Sequence, residues 1–149
     1  MRQILAALSV ETSGEGFTNI TAAINAEISG SGLVQGLCVL VVQHTSASLT
    51  VNENADPRVL DDLAAYLQAI VPEEGVRPIS GHGDRRPWIH ADEGPDDMPA
   101  HIRTALTTTS LSLSFDRGRL VLGTWQAVYL WEHRARGSRR RVSMHLIGV

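Results

Sequence analysis

The sequence contains no lysine, because all 13 of its basic residues are arginine. Schiff-base chemistry, pyridoxal-phosphate attachment and a Walker-type phosphate loop each require a lysine, so the composition excludes these three functions. An anionic ligand must therefore be held by arginine, by backbone N–H groups or by a metal ion. The net charge of -3 argues against a general affinity for nucleic acid or for an anionic membrane surface.

Cysteine and long apolar runs are also scarce. The single cysteine, Cys38, excludes a disulfide within the chain, and its place in the apolar run LCVLVV predicts a small core residue. No apolar run approaches the ~18 residues of a transmembrane helix. The segment MRQILAALSV has the alternation of a first strand rather than the pattern of a signal peptide. We therefore expect a cytoplasmic protein without membrane association.

The remaining patterns indicate one α+β domain over residues 1–149, with largely antiparallel sheets packed as in a sandwich. Strand patterns cover residues 2–12, a segment from 33 or 37 to 43, and the surroundings of Leu49 and Val51. Helical patterns cover 19–29, 57–70 and a segment from about 96 to 107. The last 40 residues hold strand patterns separated by the turn signals DRGR and RARGS. Such spacing predicts a C-terminal β-meander.

The second helical pattern has the clearest boundaries. Asp56 is typical of an N-cap and Pro57 of the first helical position. The apolar positions of this segment recur at helical spacing, and we expect the face that they form to be buried: Val59, Leu63, Tyr66, Leu67 and Ile70.

Residues 43–54, QHTSASLTVNEN, concentrate hydrogen-bonding side chains directly after the buried-strand pattern. Polar groups at the edge of a core reduce stability unless they are paired, so a ligand or metal at this place would account for them. Glu53 lies between a strand and a helix cap, and we expect it in a loop near His44.

His44, His90 and His101 are candidate metal ligands, since zinc sites use two or three neutral imidazoles. The sequence has neither H-E-x-x-H nor C-x-x-C, so spacing alone leaves structural or surface histidines as the alternative. Five acids are candidate ligands or proton carriers: Glu53, Asp92, Glu93, Asp96 and Asp97. Asp96 and Asp97 have a simpler role as first-turn acids that stabilise a helix dipole. Asp92 lies close enough in sequence to orient the ring of His90.

Hydroxyl and amide side chains complete the candidates. Nucleophilic serine catalysis is disfavoured, because G-x-S-x-G is absent and Ser46 is too near His44 along a strand to form a triad with it. Trp125 is either a core residue or a ligand contact. The arginines near the last turn, from Arg134 to Arg141, fit a solvated turn, a phosphate-binding surface or a surface that pairs with acids of another subunit.

Together these motifs resemble the YjbQ-like family, also called the secondary thiamine-phosphate synthase enzyme family. The resemblance rests on QHTSASLTVNENADP, on W-I-H at 88–90, on DDMPAHI, and on GRLVLGTWQAVYLWEHR ending in SRRR. It implies a compact α+β homotrimer with a polar pocket near subunit contacts and a low thiamine-phosphate synthase activity. That reaction joins a pyrimidine methyl pyrophosphate to a thiazole phosphate.

The resemblance also implies roles for individual residues. The metal ligands would be His44, His90 and His101, with zinc the first choice and magnesium the alternative. The catalytic residues would be Asn52, Glu53 and Asp92. The contacts to a small phosphorylated substrate would be Thr45, Ser46, Thr124, Trp125, Gln126 and Arg141.

Three functions are left open by the sequence. The first is thiamine-phosphate synthesis, in which arginine and a divalent cation hold two anionic substrates. The second is a zinc-dependent hydrolase, in which Glu53 or Asp92 moves the proton of a zinc-bound water. The third is a non-catalytic trimer that binds a metal or a small molecule.

Overall fold

The structure, a computed structural model, describes all 149 residues as eight strands and three helices. In chain order these elements are β1 (Arg2–Glu11), β2 (Gly16–Asn19), α1 (Thr21–Gly30), β3 (Gln35–Val42), β4 (Ala47–Glu53), α2 (Pro57–Ile70), α3 (Asp97–Leu106), β5 (Ser110–Asp116), β6 (Arg119–Leu120), β7 (Gln126–Glu132) and β8 (Arg139–Gly148). One antiparallel sheet has the order β1-β8-β3-β5-β6, and a smaller antiparallel sheet has the order β2-β7-β4. The predicted single α+β domain is confirmed.

The core lies where the two sheets and α1 meet. Leu40 of β3, Leu130 of β7 and Ile24 of α1 are each fully buried there. Cys38 is buried in the same cluster, and burial raises the pKa of its thiol to about 12. The thiol therefore stays protonated at neutral pH, which confirms Cys38 as a core residue rather than a nucleophile or a metal ligand.

The predicted C-terminal meander is correct only for its first hairpin. β5 and β6 pair across a tight turn in which Arg117 and Gly118 both have positive φ, +49° and +76°. The next strand, β7, lies instead at the centre of the smaller sheet, where it pairs with β2 and β4. The last strand, β8, lies in the larger sheet between β1 and β3. The hydrophobic pattern of a strand indicates which of its side chains are buried, but it does not indicate which strand lies next to it. The change from one sheet to the other therefore cannot be predicted from this pattern.

The second helix, α2, follows its predicted cap. Asp56 accepts a hydrogen bond from the Arg58 N–H at 3.0 Å, and α2 runs from Pro57 to Ile70 as expected. Its apolar face is not wholly buried, however. Leu67 is 6% exposed, whereas Tyr66 and Ile70 are 67% and 50% exposed, because α2 packs chiefly against the strand β4 alone.

The structure also adds a strand that the sequence analysis missed. β2 covers only four residues, next to the turn signal SGEG, and its length is below what periodicity can reveal. None of the three helices combines the length and the apolar character needed to cross a membrane.

A buried ion pair joins the two sheets. Glu132 at the end of β7 is 0% exposed, and Arg140 at the start of β8 is 5% exposed. Their side chains meet through two hydrogen bonds of 2.7 and 2.8 Å, and Thr12 donates a third to Glu132 at 2.9 Å. Burial alone would raise the pKa of Glu132, but the hydrogen bonds, with Arg140 first, lower it, so the carboxylate stays ionised.

We predict that Glu132→Ala destabilises the protein by about 3–5 kcal/mol, because it leaves the guanidinium of Arg140 buried without a partner. The matched control is Glu11→Ala, which breaks the exposed pair with Arg139 and should cost less than about 1 kcal/mol. Urea unfolding measures both. Equal losses of unfolding free energy in the two variants would show that the buried pair stabilises the protein no more than the exposed pair does.

A second buried polar group lies next to this pair. His133 is 0% exposed, and its Nε2 is 2.8 Å from the hydroxyl of Ser48 on β4. Burial, helped by the charge of Arg103, lowers the pKa of His133 from 6.5 to about 4. Between these two values the ring is neutral in the folded protein, whereas it is protonated in an unfolded chain.

We predict a pH-dependent stability that depends on His133. As the pH falls from 6.5 toward 4, the unfolded chain binds a proton that the folded chain excludes. The free energy of unfolding should therefore fall by about 1.4 kcal/mol per pH unit more in the wild type than in His133→Gln. His82→Gln, in an exposed loop, is the control and should keep the wild-type slope. Parallel curves for the wild type and His133→Gln would contradict the assignment.

Candidate functional site

Three metal-ligand side chains converge at the start of α3. Ligand atoms of His90, Asp97 and His101 all lie within 4.8 Å of one another. Asp97 and His101 are one turn apart on α3 and therefore share a face of the helix. His90 reaches them from the preceding loop, with its Nε2 2.9 Å from Asp97 Oδ2.

The orientation of His101 favours a cation at this place. Its Nδ1 lies 3.0 Å from the carbonyl oxygen of Thr45, which can only accept, so Nδ1 carries a hydrogen and donates it. When the ring is neutral, Nε2 then presents a lone pair, 3.6 Å from Asp97 Oδ1. Metal-binding histidines are typically held in this way, with the second ring nitrogen on a carbonyl.

Asp97 is held in place by the connection between β7 and β8. Its side chain is 3% exposed, and Arg134 contacts its Oδ1 through Nη1. The same guanidinium binds Asp96 at 2.9 Å, and the Ala135 N–H donates to that carboxylate as well. Burial opposes ionisation of Asp96, but these hydrogen bonds lower its pKa overall. The acids of the first helical turn are therefore more than dipole partners, because Arg134 fixes their direction.

His44 lies beside this cluster but is not among its three converging groups. The Ser46 N–H donates to His44 Nδ1 at 3.1 Å, so the neutral ring carries its hydrogen on Nε2. Burial, followed by the charge of Arg140, lowers the pKa of His44, so the imidazole is neutral near pH 7.

Two cavities meet at His44. The larger, of about 820 Å³, runs between the end of β3 and α3, and both His44 and His101 line it. Thr45, an expected substrate contact, also lines this groove, whereas Ser46 is 1% exposed and acts through its backbone. The smaller cavity, of about 260 Å³, has seven lining residues, three of which are arginines: His44, Glu93, Arg134, Arg136, Gly137, Ser138 and Arg140.

The other expected site residues lie at the opposite end of β4. This strand has seven residues, so its ends are about 20 Å apart. The expectation that Glu53 lies near His44 is therefore wrong within one chain, because β4 is a full strand and not a short link. The remote group contains Asn52, Glu53, Thr124, Trp125 and Gln126.

This remote group is itself well ordered by hydrogen bonds. Asn54 donates to the carbonyl oxygens of Thr124 and Gln126, each at 3.1 Å, and so joins the two loops. Glu53 accepts from the Ala55 N–H at 2.7 Å in front of α2. Trp125 is 65% exposed and is thus not the core residue that the sequence left as an alternative.

Two further expectations need correction or relocation. Asp92 has no hydrogen bond or ion pair with His90; the turn at residues 91–94 brings Asp97 to that ring instead. Arg141 is exposed on β8 and lines neither cavity at His44, whereas the neighbouring Arg140 points inward. Asp97 was one of the five candidate acids, but its simpler role at the helix start kept it out of the expected ligand set, although it shares a face of one helix with His101. Arg134 was expected only as part of a solvated or phosphate-binding turn, and its contact with Asp97 was not foreseen.

Comparison with known proteins places this geometry in a family. A sequence profile described as "UPF0047 protein YjbQ-like" matches residues 6–149. A UPF0047 protein of Synechocystis is 48% identical over 147 residues, covering 99% of this chain and 93% of that protein. The UPF0047 protein YjbQ of Escherichia coli O157:H7 is 39% identical over 142 residues, covering 95% of each.

Solved structures agree with the sequence relatives. A conserved hypothetical protein of Thermus thermophilus has 37% identity and a TM-score of 0.78, covering 95% of this chain and 99% of that chain. A hypothetical protein of Aeropyrum pernix has 27% identity and a TM-score of 0.80, covering 98% and 99%. The chain belongs to the YjbQ-like UPF0047 family.

Proposed function

We propose that the chain is a metal-dependent enzyme that acts on a small phosphorylated molecule at the His90–Asp97–His101 cluster. The observation that carries the proposal is the convergence of these three ligand atoms within 4.8 Å, beside a groove of about 820 Å³. A cavity of that size is in the range that holds a whole small ligand.

The donor set fits zinc better than magnesium. Two imidazole nitrogens and one carboxylate oxygen suit zinc, whereas magnesium prefers oxygen ligands and water. Zinc at this place would supply Lewis acidity to an oxygen of the substrate or of water. The Thr45 carbonyl and Arg134 orient His101 and Asp97 from outside, and the half-exposed His90 leaves one side of the cluster accessible.

The phosphorylated substrate is supported by the arginines beside the cluster. Arg134, Arg136 and Arg140 line the cavity next to His44, and arginine matches the oxygens of phosphate with its fork of N–H groups. Among reactions, we propose a low thiamine-phosphate synthase activity, since both of its substrates are phosphorylated and the chain belongs to the YjbQ-like family. Zinc-dependent hydrolysis is the second candidate, favoured by the two-histidine, one-carboxylate donor set.

We also propose that the enzyme is a homotrimer whose site is completed by a neighbouring subunit. The group around Glu53 and Trp125 is about 20 Å from His44 in one chain, the length of the seven-residue β4. A second chain can bring that group to the first. The exposed aromatic and aliphatic side chains Trp125, Tyr66 and Ile70 offer apolar surface for such contacts.

We predict that His90→Ala and His101→Ala each weaken zinc binding about tenfold or more, because loss of a direct ligand costs at least as much as loss of a residue that only orients one. Elemental analysis and competition with a chelator dye measure the loss, and circular dichroism checks the fold. His82→Ala, in an exposed loop, is the control and should bind zinc as the wild type does. Undiminished zinc in both ligand variants would end the proposal of a metal site.

We predict that Glu53→Gln lowers thiamine-phosphate formation about 100-fold, as expected for a group that carries a proton, without loss of zinc. Glu73→Gln, in an exposed loop, is the matched control. Co-refolding Glu53→Gln with His101→Ala should restore part of the activity, because some sites then combine an intact Glu53 with an intact His101. Full activity of Glu53→Gln alone would remove Glu53 from the reaction, and the absence of any restoration would contradict the shared site.

A further inference from the structure

We propose that the smaller cavity beside His44 binds the phosphate group of the substrate, with Arg136 as its charged donor. The larger groove would then hold the organic part next to His101. The identity of the substrate rests on the proposed function, whereas binding of a phosphate at this cavity does not.

Arg136 is the only lining arginine whose charge is unmatched. Arg140 is bound to Glu132 by two hydrogen bonds, and Arg134 is bound to Asp96 and Asp97. Arg136 makes no ion pair and is exposed at the tip of the connection between β7 and β8. An arginine with unpaired N–H groups at a cavity wall is a suitable partner for two phosphate oxygens.

Most of the other groups at the cavity are hydrogen-bond donors as well. The neutral ring of His44 presents its Nε2–H, because the Ser46 N–H already donates to Nδ1. The backbone N–H groups of Arg136 and Gly137 have no partner, and neither has the hydroxyl of Ser138. Glu93 is the one acid of the wall; its side chain is 75% exposed and lies 3.7 Å from Arg134.

The wall that carries these donors is held rigidly. The Ser138 N–H donates to the hydroxyl of Thr12 at 2.9 Å, and the Thr12 N–H donates to the Ser138 carbonyl at 2.9 Å. A Cβ at Gly137 would lie 2.2 Å from the carbonyl oxygen of Thr12, so only glycine permits this close approach. Backbone donors that are fixed before the ligand arrives lose little entropy on binding, which favours an anion at this place, whereas the exposed side chain of Arg136 would be ordered by the ligand.

The volumes of the two cavities indicate which part of the substrate each would hold. The volume of about 260 Å³ is below the range of about 300–1,000 Å³ that holds whole ligands, whereas 820 Å³ is within it. His44 lines both cavities and therefore stands where the two parts of the ligand join. This arrangement fits a phosphate or pyrophosphate ester of a small organic group.

The test is the binding of inorganic phosphate, measured by calorimetry on wild type, Arg136→Ala, Arg136→Lys and Arg119→Ala. We expect Arg136→Ala to weaken binding about 10–100-fold, as for loss of a hydrogen-bonded charge, and Arg136→Lys to recover part of the affinity. Arg119 is exposed near the start of β3, at the opposite end of the larger sheet from His44, and its loss should leave binding unchanged. Equal affinity of the wild type and Arg136→Ala would overturn the proposal, as would the absence of phosphate binding in the wild type.

A metal-ligand variant separates this proposal from the proposed function. His90→Ala should keep the affinity for phosphate, since neither cavity wall contains His90. If zinc does not bind in the wild type but phosphate does, the metal proposal fails and the phosphate cavity stands. If His90→Ala abolishes phosphate binding and Arg136→Ala does not alter it, the phosphate sits on the metal and the cavity proposal is wrong.

Discussion

The buried pair of Glu132 and Arg140 is the starting point of a series of contacts that leads to the candidate metal cluster. It joins the last residue of β7 in one sheet to the second residue of β8 in the other, and both side chains are almost inaccessible. Two buried charges are stable only when their geometry is good and further hydrogen bonds compensate the loss of water. Glu132 meets this requirement by accepting from Arg140, from the hydroxyl of Thr12 and from the N–H of Arg134.

The hydrogen bond from the Arg134 N–H to Glu132 connects the buried pair to the start of α3. Because the backbone of Arg134 is fixed by Glu132, its guanidinium reaches across to Asp96 and Asp97 and holds both carboxylates. Asp97 in turn contacts His90 and His101. A continuous chain of charge-assisted contacts therefore runs from the sheet junction to the three converging ligand atoms.

The use of arginine alone is consistent with this arrangement. Arg134 divides its N–H groups between two carboxylates and a carbonyl, and Arg140 faces one carboxylate with two parallel bonds. A lysine ammonium is a point charge and cannot reproduce either geometry. The absence of lysine thus agrees with a protein whose buried cations are guanidinium groups that bind carboxylates through several N–H groups at once.

The sequence predicted what short-range rules determine. The cap at Asp56 and Pro57 located α2, and LCVLVV located a buried strand, because both depend on a few adjacent residues. The sequence also named His90 and His101, but it left Asp97 out of the expected ligand set, since a first-turn acid has a sufficient local explanation. The departure of β7 to the smaller sheet and the distance of Glu53 from His44 depend on strand partners far away in the chain, which no local pattern encodes.

The length of β4 has the largest functional consequence among these long-range features. It places HTS and NEN, which look like one polar motif in the sequence, at opposite ends of a seven-residue strand. The first group contributes the Thr45 carbonyl to the cluster on α3 and His44 to the cavity walls beside it, whereas the second group joins the start of α2 to the loop with the exposed Trp125. The two ends of this strand are about 20 Å apart, so one small ligand cannot contact both groups within one chain. In the proposed homotrimer, a neighbouring chain would bring the second group to the first. Assembly of the protein would then be part of its chemistry rather than a means of stabilising the fold.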